Sequence, residues 1–213
     1  MDRDIFVAHA LEVAPQLLGA SLTVGSDDGP VTIRITEVEA YHGVGVPGPY
    51  DAGSHSRDRK TARNASMFGP PGHAYVYFTY GMHFALNLVC SPEHTASAIL
   101  LRAGEVVAGA ELARSRRTGN SGRMIADRVL ARGPGNLASA LGITREAHDG
   151  LDLLAAPFRL EAPDARPTEI ATGPRVGVAG TAGGPEFPWR FWLPGDPTVS
   201  AFRPGRGAPV LAR

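Results

Sequence analysis

One cysteine, Cys90, stands among 213 residues. A lone thiol excludes an intramolecular disulfide, a cysteine-ligated zinc site and a dithiol redox pair. The seven histidines supply no HxxxH or HExxH spacing, so a histidine-based metal site is not expected either, and no cofactor is implied. Lysine is just as scarce. Of 21 basic residues only Lys60 is one, so contacts with anions fall to arginine, the better bidentate phosphate ligand. No apolar stretch reaches the roughly 18 residues a membrane span requires. The opening MDRDIFVAHALEVAPQLLGA carries acids where an export signal has a basic segment. The expectation is a cytoplasmic protein with no membrane partner, nucleoid-associated if the host is bacterial.

Net charge is absent too, with 21 basic and 21 acidic residues, which argues against nonspecific coating of nucleic acid. The distribution is uneven, however. Residues 1–53 hold two basic and eight acidic side chains, residues 54–133 eleven and five, and residues 134–213 eight of each. The middle third is the expected cationic face.

With 43% hydrophobic and 20% charged residues, the chain can bury a core as one domain spanning 1–213. Asp4 to Leu18 reads as a short helix capped by Asp4 and disturbed by Pro15. Ser21–Val24 and Val31–Tyr41 read as strands joined by a Ser26-Asp27-Asp28-Gly29 turn. A buried strand is expected at Ala96–Arg102, helices at Glu105–Arg117, Arg123–Ala131 and Leu137–Leu141, and short strands around Arg175–Val178 and Trp189–Leu193. Strands and helices are segregated, which favours an α+β fold over a parallel doubly wound sheet.

Between Ala74 and Leu88 the chain reads AYVYFTYGMHFALNL, a period-two aromatic run predicting a β-hairpin with its turn at Tyr80-Gly81-Met82. Hairpin tips usually collect Gly, Asn and Asp. Here Tyr80 and Met82 make an apolar wedge, the type of side chain that separates stacked bases. Just upstream, the stretch His55–Asn64 holds Arg57, Arg59, Lys60 and Arg63, candidate phosphate contacts.

Strand phase draws attention to two carboxylates. Along Val31–Tyr41 the alternation that puts Val31, Ile33 and Ile35 on one face carries Glu37, Glu39 and Tyr41 onto the same face. A carboxylate there must be paired, solvated or chemically used, and Arg102, ending its own apolar strand, is a natural partner. From phase alone, a structural Glu-Arg pair and a catalytic group both fit.

VEAY (38–41), HSR (55–57), TARNASMF (61–68), PGHAYVYFTYGMHFALN (71–87), ILLRA (99–103), ADRVLARGPGNL (126–137) and RVGV (175–178) stand in the order and approximate spacing of the alkyladenine, or methylpurine, DNA glycosylases. Across almost its whole length the chain resembles this 3-methyladenine DNA glycosylase family. The resemblance implies a curved antiparallel sheet with surrounding helices and a protruding aromatic hairpin, similar to a formyltransferase C-terminal domain. It implies that Glu39 is the general base activating water, with Arg102 and the Val176 carbonyl holding that water. Tyr41, His55 and Tyr77 would enclose a flipped base, His55 also bonding the purine edge. Asn87 would obstruct the 2-amino group of guanine, and Tyr80 would fill the gap left in the duplex. The implied partner is double-stranded DNA containing damaged purines, bound by a monomer. His83 stands where animal members have tyrosine, and the basic loop is one residue shorter.

The scarcity of lysine bears on mechanism. Bifunctional glycosylases attack C1′ with an amine, and Lys60 lies outside the matched catalytic blocks, which favours a monofunctional, water-using enzyme. Three alternatives remain open at this level. A helix-hairpin-helix glycosylase could use Gly133-Pro134-Gly135, although its catalytic Asp is not evident. A noncatalytic lesion- or RNA-binding module would lack only the Glu39 and Arg102 chemistry. A formyltransferase-like small-molecule enzyme would not need the Tyr80 wedge.

Overall fold

The computed structural model describes residues 1–79, 81–119 and 124–209. Within them one open antiparallel sheet is built from β1 (Ser21–Val24), β2 (Val31–His42), β3 (Ala74–Thr79), β4 (His83–Val89), β5 (Ser97–Ala108), β6 (Ala131–Arg132), β7 (Phe158–Glu161), β8 (Ala171–Gly173) and β9 (Arg190–Trp192). The main order is β3-β4-β5-β2-β1-β7; β6 joins β5, and β9, paired with β8, joins β2. Four short helices accompany it: α1 (Ala10–Val13), α2 (Ala110–Thr118), α3 (Pro134–Leu141) and α4 (Arg145–His148). Leu137, Ala138 and Leu141 of α3 share the main core with Ile33, Leu86, Leu88 and Ile99 of the sheet. The expected α+β class holds.

The two long central strands each change their outer neighbour partway along. β2 pairs with β1 as far as Arg34 and with β9 from Glu37 to Glu39. β5 pairs with β4 at Ala98–Leu100 and with β6 at Ala103–Gly104. At this junction Ile35 faces Gly104, Glu37 faces Ala103 and Val38 faces Leu101, so Thr36 and then Arg102 are skipped. Each skipped residue is a β-bulge. The register survives, but the alternation of β2 reverses: its core residues are Val31, Ile33 and Ile35, then Val38 and Ala40. Glu39 and Tyr41 therefore do not continue the Val31 face, as simple alternation predicts. They point to the other side of the sheet, into a cavity.

Local expectations shift elsewhere. The N-terminal segment is not one helix. A 3₁₀ turn, Arg3–Val7, is capped by Asp2 and not Asp4; α1 is capped by His9, whose Nδ1 accepts from Leu11 N–H; Ala14–Leu17 is a second 3₁₀ turn. Pro15 has no N–H to extend α1. Glu105–Ala108 is strand, because β5 continues along the first half of β2 and Glu105 meets Arg34 at 2.9 Å. This ladder overrides the residues' helical preference. Of the helix expected at Arg123–Ala131 there is a 3₁₀ turn, Asp127–Val129, before β6, while Arg123 lies outside the described residues. Arg175–Val178 is a turn and not a strand.

Candidate active site

Register alone assembles the cavity floor. Tyr75 pairs with Asn87, Asn87 with Leu100, and Leu100 with Glu39. These four side chains form one row across β3, β4, β5 and β2. Next to it, Tyr77 pairs with Ala85 and Tyr41 with Ala98, so methyl-sized side chains lie opposite the rings and leave room above the sheet. The resulting cavity of about 340 Å³ is closed by Gly53–His55, Met67, Pro134 and the Val176–Ala179 loop. Its size lies in the range of ligand sites, about 300–1,000 Å³.

Glu39 forms part of the wall and is fully buried. Its Oε1 accepts the Val176 N–H at 2.7 Å and its Oε2 accepts the Tyr41 hydroxyl at 2.8 Å. Val176 thus holds the carboxylate through its N–H, a contact separate from the water-holding role that the resemblance implied for its carbonyl. Burial, and next the Glu39 charge, push the Tyr41 hydroxyl well above its ordinary pKa against the opposing effect of Arg175, so Tyr41 is a donor to the carboxylate. Each Glu39 oxygen retains acceptor capacity toward the cavity.

Glu37, two residues earlier, is committed elsewhere. It accepts from Arg190 Nε at 2.6 Å and from Ser200 N and Oγ at 2.8 and 3.0 Å. Arg102 Nε lies 3.0 Å from Glu37 Oε1, 3.5 Å from Glu39 Oε1, and donates to Ser200 Oγ at 3.1 Å. Arg102 therefore bridges the two carboxylates and lies nearer Glu37.

Behind Tyr41 lies a buried ion pair that sequence reading missed. Arg175, fully buried, donates to both oxygens of Asp51 at 2.8 and 2.6 Å, to Ala40 O at 3.0 Å and to Ala182 O at 3.1 Å. Its guanidinium sits 4.4 Å from the Tyr41 ring centre and 4.8 Å from that of Trp189. One side chain thereby ties β2, the loop before His55 and the loop after Val176 together. The RVGV block was the available signal for Arg175, but nothing in it names Asp51. Ser200 and Arg190 carried no signal.

On the opposite side, His55 Nδ1 lies 3.3 Å from Tyr75 Oη, and its ring meets Tyr77 edge-on at 4.6 Å. Burial, followed by the charges of Arg63 and Arg57, holds His55 below the ordinary 6.5. Asn64 braces the loop by donating to His55 O and Arg59 O. Asn87 is fixed by its own donation to Tyr75 O at 2.9 Å. Tyr41, His55, Tyr77 and Asn87 are thus brought together as expected.

The basic loop divides. Arg57 binds Asp58 and Ala52 O, and Arg63 donates to Phe78 O on the hairpin. Lys60 lies over the Phe68 ring at 5.4 Å, and Arg59 is exposed without an ion pair among the described residues. At the hairpin tip Gly81 takes a left-handed φ of 66°, and Met82 is 69% exposed. Tyr80 lies outside the described residues. Among the described residues no cluster of His, Cys, Asp or Glu could hold a metal, and no helix is long and apolar enough to cross a membrane.

The candidate site is thus a ring-lined cavity on the face of an antiparallel sheet, with a buried carboxylate in its wall. Comparison with known proteins gives that arrangement a family. The family model described as methylpurine-DNA glycosylase matches residues 4–197, and the chain belongs to that family. Relatives named "Putative 3-methyladenine DNA glycosylase" include one from Leifsonia xyli subsp. xyli, 57% identical over 94% of this chain and 92% of its own. Another, from Streptomyces avermitilis, is 51% identical over 95% and 92%, and one from Nocardia farcinica 50% over 93% and 90%. The chain is accordingly a DNA glycosylase, a DNA-repair hydrolase whose substrate is DNA.

Proposed function

We propose that the chain is a monofunctional glycosylase that acts as a monomer. It extrudes alkylated or deaminated purines, among them methylpurines, hypoxanthine and ethenoadenine, from duplex DNA and hydrolyses the N-glycosidic bond with water. The observation that carries this reading is the placement of Glu39: its carboxylate lines the cavity while the neighbouring Glu37 is bound up by Arg190 and Ser200. Glu39 takes a proton from water as the water oxygen bonds to C1′. The C1′–N bond breaks and its electron pair leaves with the base, so atoms and charge balance without a covalent enzyme intermediate. Arg102 and Val176 hold the carboxylate and the water.

Removing a base from a stacked duplex requires extrusion, and a cavity floored by Ala85 and Ala98 between tyrosines suits a flat ring. Tyr41, His55 and Tyr77 enclose it, and stacking of this kind contributes about 1–3 kcal/mol per base. Cationic methylpurines gain further from the ring faces and are already good leaving groups. Asn87 excludes normal guanine. Tyr80 and Met82 occupy the vacated stack, and Arg57, Arg59, Lys60 and Arg63 face the phosphates, with Arg59 and Lys60 the freer pair.

The test is single-turnover excision by Glu39→Gln, which keeps the side chain's size and removes the base. Excision is expected to fall about 10²–10⁴-fold while binding to lesion duplex persists. Excision within a few-fold of the parent overturns the assignment.

A further inference from the structure

Most cations of the middle third already serve the protein itself. Arg114 pairs with Glu111 and Asp127, Arg116 donates to Ala140 O and Ser26 Oγ, Arg117 to the carbonyls of Val129 and Leu130, and Arg132 to Pro197 O. Arg57 and Arg63 are also engaged. The cationic face expected from residue counts is thus largely spent on internal bonds, and beyond the exposed Arg59 and Lys60 further uncommitted charge has to come from elsewhere.

It comes from residues 198–209, a strap that lies beyond the stretch matched by the family model. The strap begins at the carboxylates, where Ser200 bonds Glu37 and accepts from Arg102. It then runs along the cavity wall. Arg203 O accepts the Gly177 N–H at 2.8 Å, and Arg206 O accepts the Gly180 N–H at 3.0 Å; Gly177 lines the cavity and Gly180 follows its last wall residue, Ala179. The approach is close enough that a Cβ at position 205 would stand 2.0 Å from Val178 O, which only glycine permits. The backbone is therefore locked to the wall while the side chains of Phe202, Arg203 and Arg206 are exposed. Neither arginine has a side-chain hydrogen bond or ion pair among the described residues.

We propose that Arg203 and Arg206 form a second phosphate-contact site, which takes the DNA backbone at the lip of the base cavity. Free guanidinium groups on a fixed backbone are bidentate phosphate ligands that lose little main-chain entropy on binding. Their main-chain bonds to the loop that supplies the Val176–Ala179 wall keep them next to the cavity, apart in sequence from the Arg57–Arg63 loop. The proposal rests on the glycosylase reading for the identity of the polyanion.

Equilibrium binding of the full chain to a lesion-bearing and an undamaged duplex, measured over a range of salt concentrations, tests it. Each phosphate contact contributes about 0.9 to the slope of log K against log salt. The double variant Arg203→Ala, Arg206→Ala should flatten the slope by about two and raise Kd at least about fivefold near 0.1 M salt, by a similar factor on both duplexes. Arg159→Ala, on the distant edge strand β7, should leave slope and Kd at parental values. The proposal is overturned by an unchanged slope in the double variant, or by an equal change in Arg159→Ala. If the parent itself shows no salt-dependent DNA binding, the glycosylase reading fails, and the phosphate site with it.

Discussion

Thr36 on β2 and Arg102 on β5 are skipped one step apart in the ladder that joins their strands. The paired bulges cancel in register, so the sheet continues undisturbed, yet they turn one strand from serving the core to serving the cavity. Without Thr36, Glu39 and Tyr41 would be packed among Ile33, Leu86 and Leu88. With it, one uninterrupted strand supplies both hydrophobic anchorage and the carboxylate of the cavity wall.

The same junction separates two carboxylates by role. Glu37→Gln should act on stability, because it removes the charge partner of buried Arg190 and Arg102. Breaking a buried pair from one side costs about 3–5 kcal/mol, and for a chain of this size each kcal/mol lowers Tm by about 2–4 °C. Thermal unfolding should show this loss, whereas Glu39→Gln should unfold near the parental temperature. Equal Tm losses in both variants would refute the division.

His55 sets an acid limit. Its pKa is held below 6.5 by burial and then by Arg63 and Arg57, so the ring is neutral at pH 7 and protonates as pH falls through the lowered value. Between that value and 6.5 the unfolded chain binds more protons than the folded one, so His55 destabilises the fold progressively as pH falls through this window. Excision of hypoxanthine, a neutral base, should decline over the same range, and His55→Gln should remove that part of the profile. An unaltered acid limb in His55→Gln would dissociate the ring from the effect.

Asn87 is held by its bond to Tyr75 O in the row that also contains Glu39. Asn87→Ser should admit the exocyclic amine of guanine and raise its excision by about 1–3 kcal/mol, or roughly 10–200-fold. Hypoxanthine excision should change less. Chromatography of released bases distinguishes the two, and unchanged guanine release would remove Asn87 as the filter.

Lys60 packs over Phe68 and does not line the cavity. Borohydride should therefore trap no covalent DNA complex, and Lys60→Arg should release base at the parental rate. A trapped species that vanishes in Lys60→Arg would point to an amine nucleophile and away from water.

Much of this site was readable in the sequence, although one step of the reading misled. The period-two run of β3 and β4 forecast the hairpin, and the register then puts Tyr75, Tyr77, Ala85 and Asn87 on one face. Strand phase put Glu37 and Glu39 together on the apolar face, on the premise of an unbroken alternation, and only the family resemblance chose Glu39; a bulge at Thr36 has no residue signature, so the face was assigned wrongly. The Arg175–Asp51 and Arg190–Glu37 pairs join positions 124 and 153 apart, and local pattern cannot couple such distant residues. The count of charges in the middle third had a similar blind spot, since it cannot tell an arginine that binds carbonyls from one facing solvent.

The floor of the cavity is a hydrogen-bonded sheet, and its walls are cross-tied by Arg175 and by the strap, so the protein side of the encounter is stiff. When a stiff receptor meets a flexible polymer, the polymer does the bending. If the proposed extrusion holds, the sites expected to be met first are those whose helix gives way most easily, such as mispaired or weakly stacked bases. Discrimination would then begin in the mechanics of the damaged duplex, before any contact is made inside the pocket.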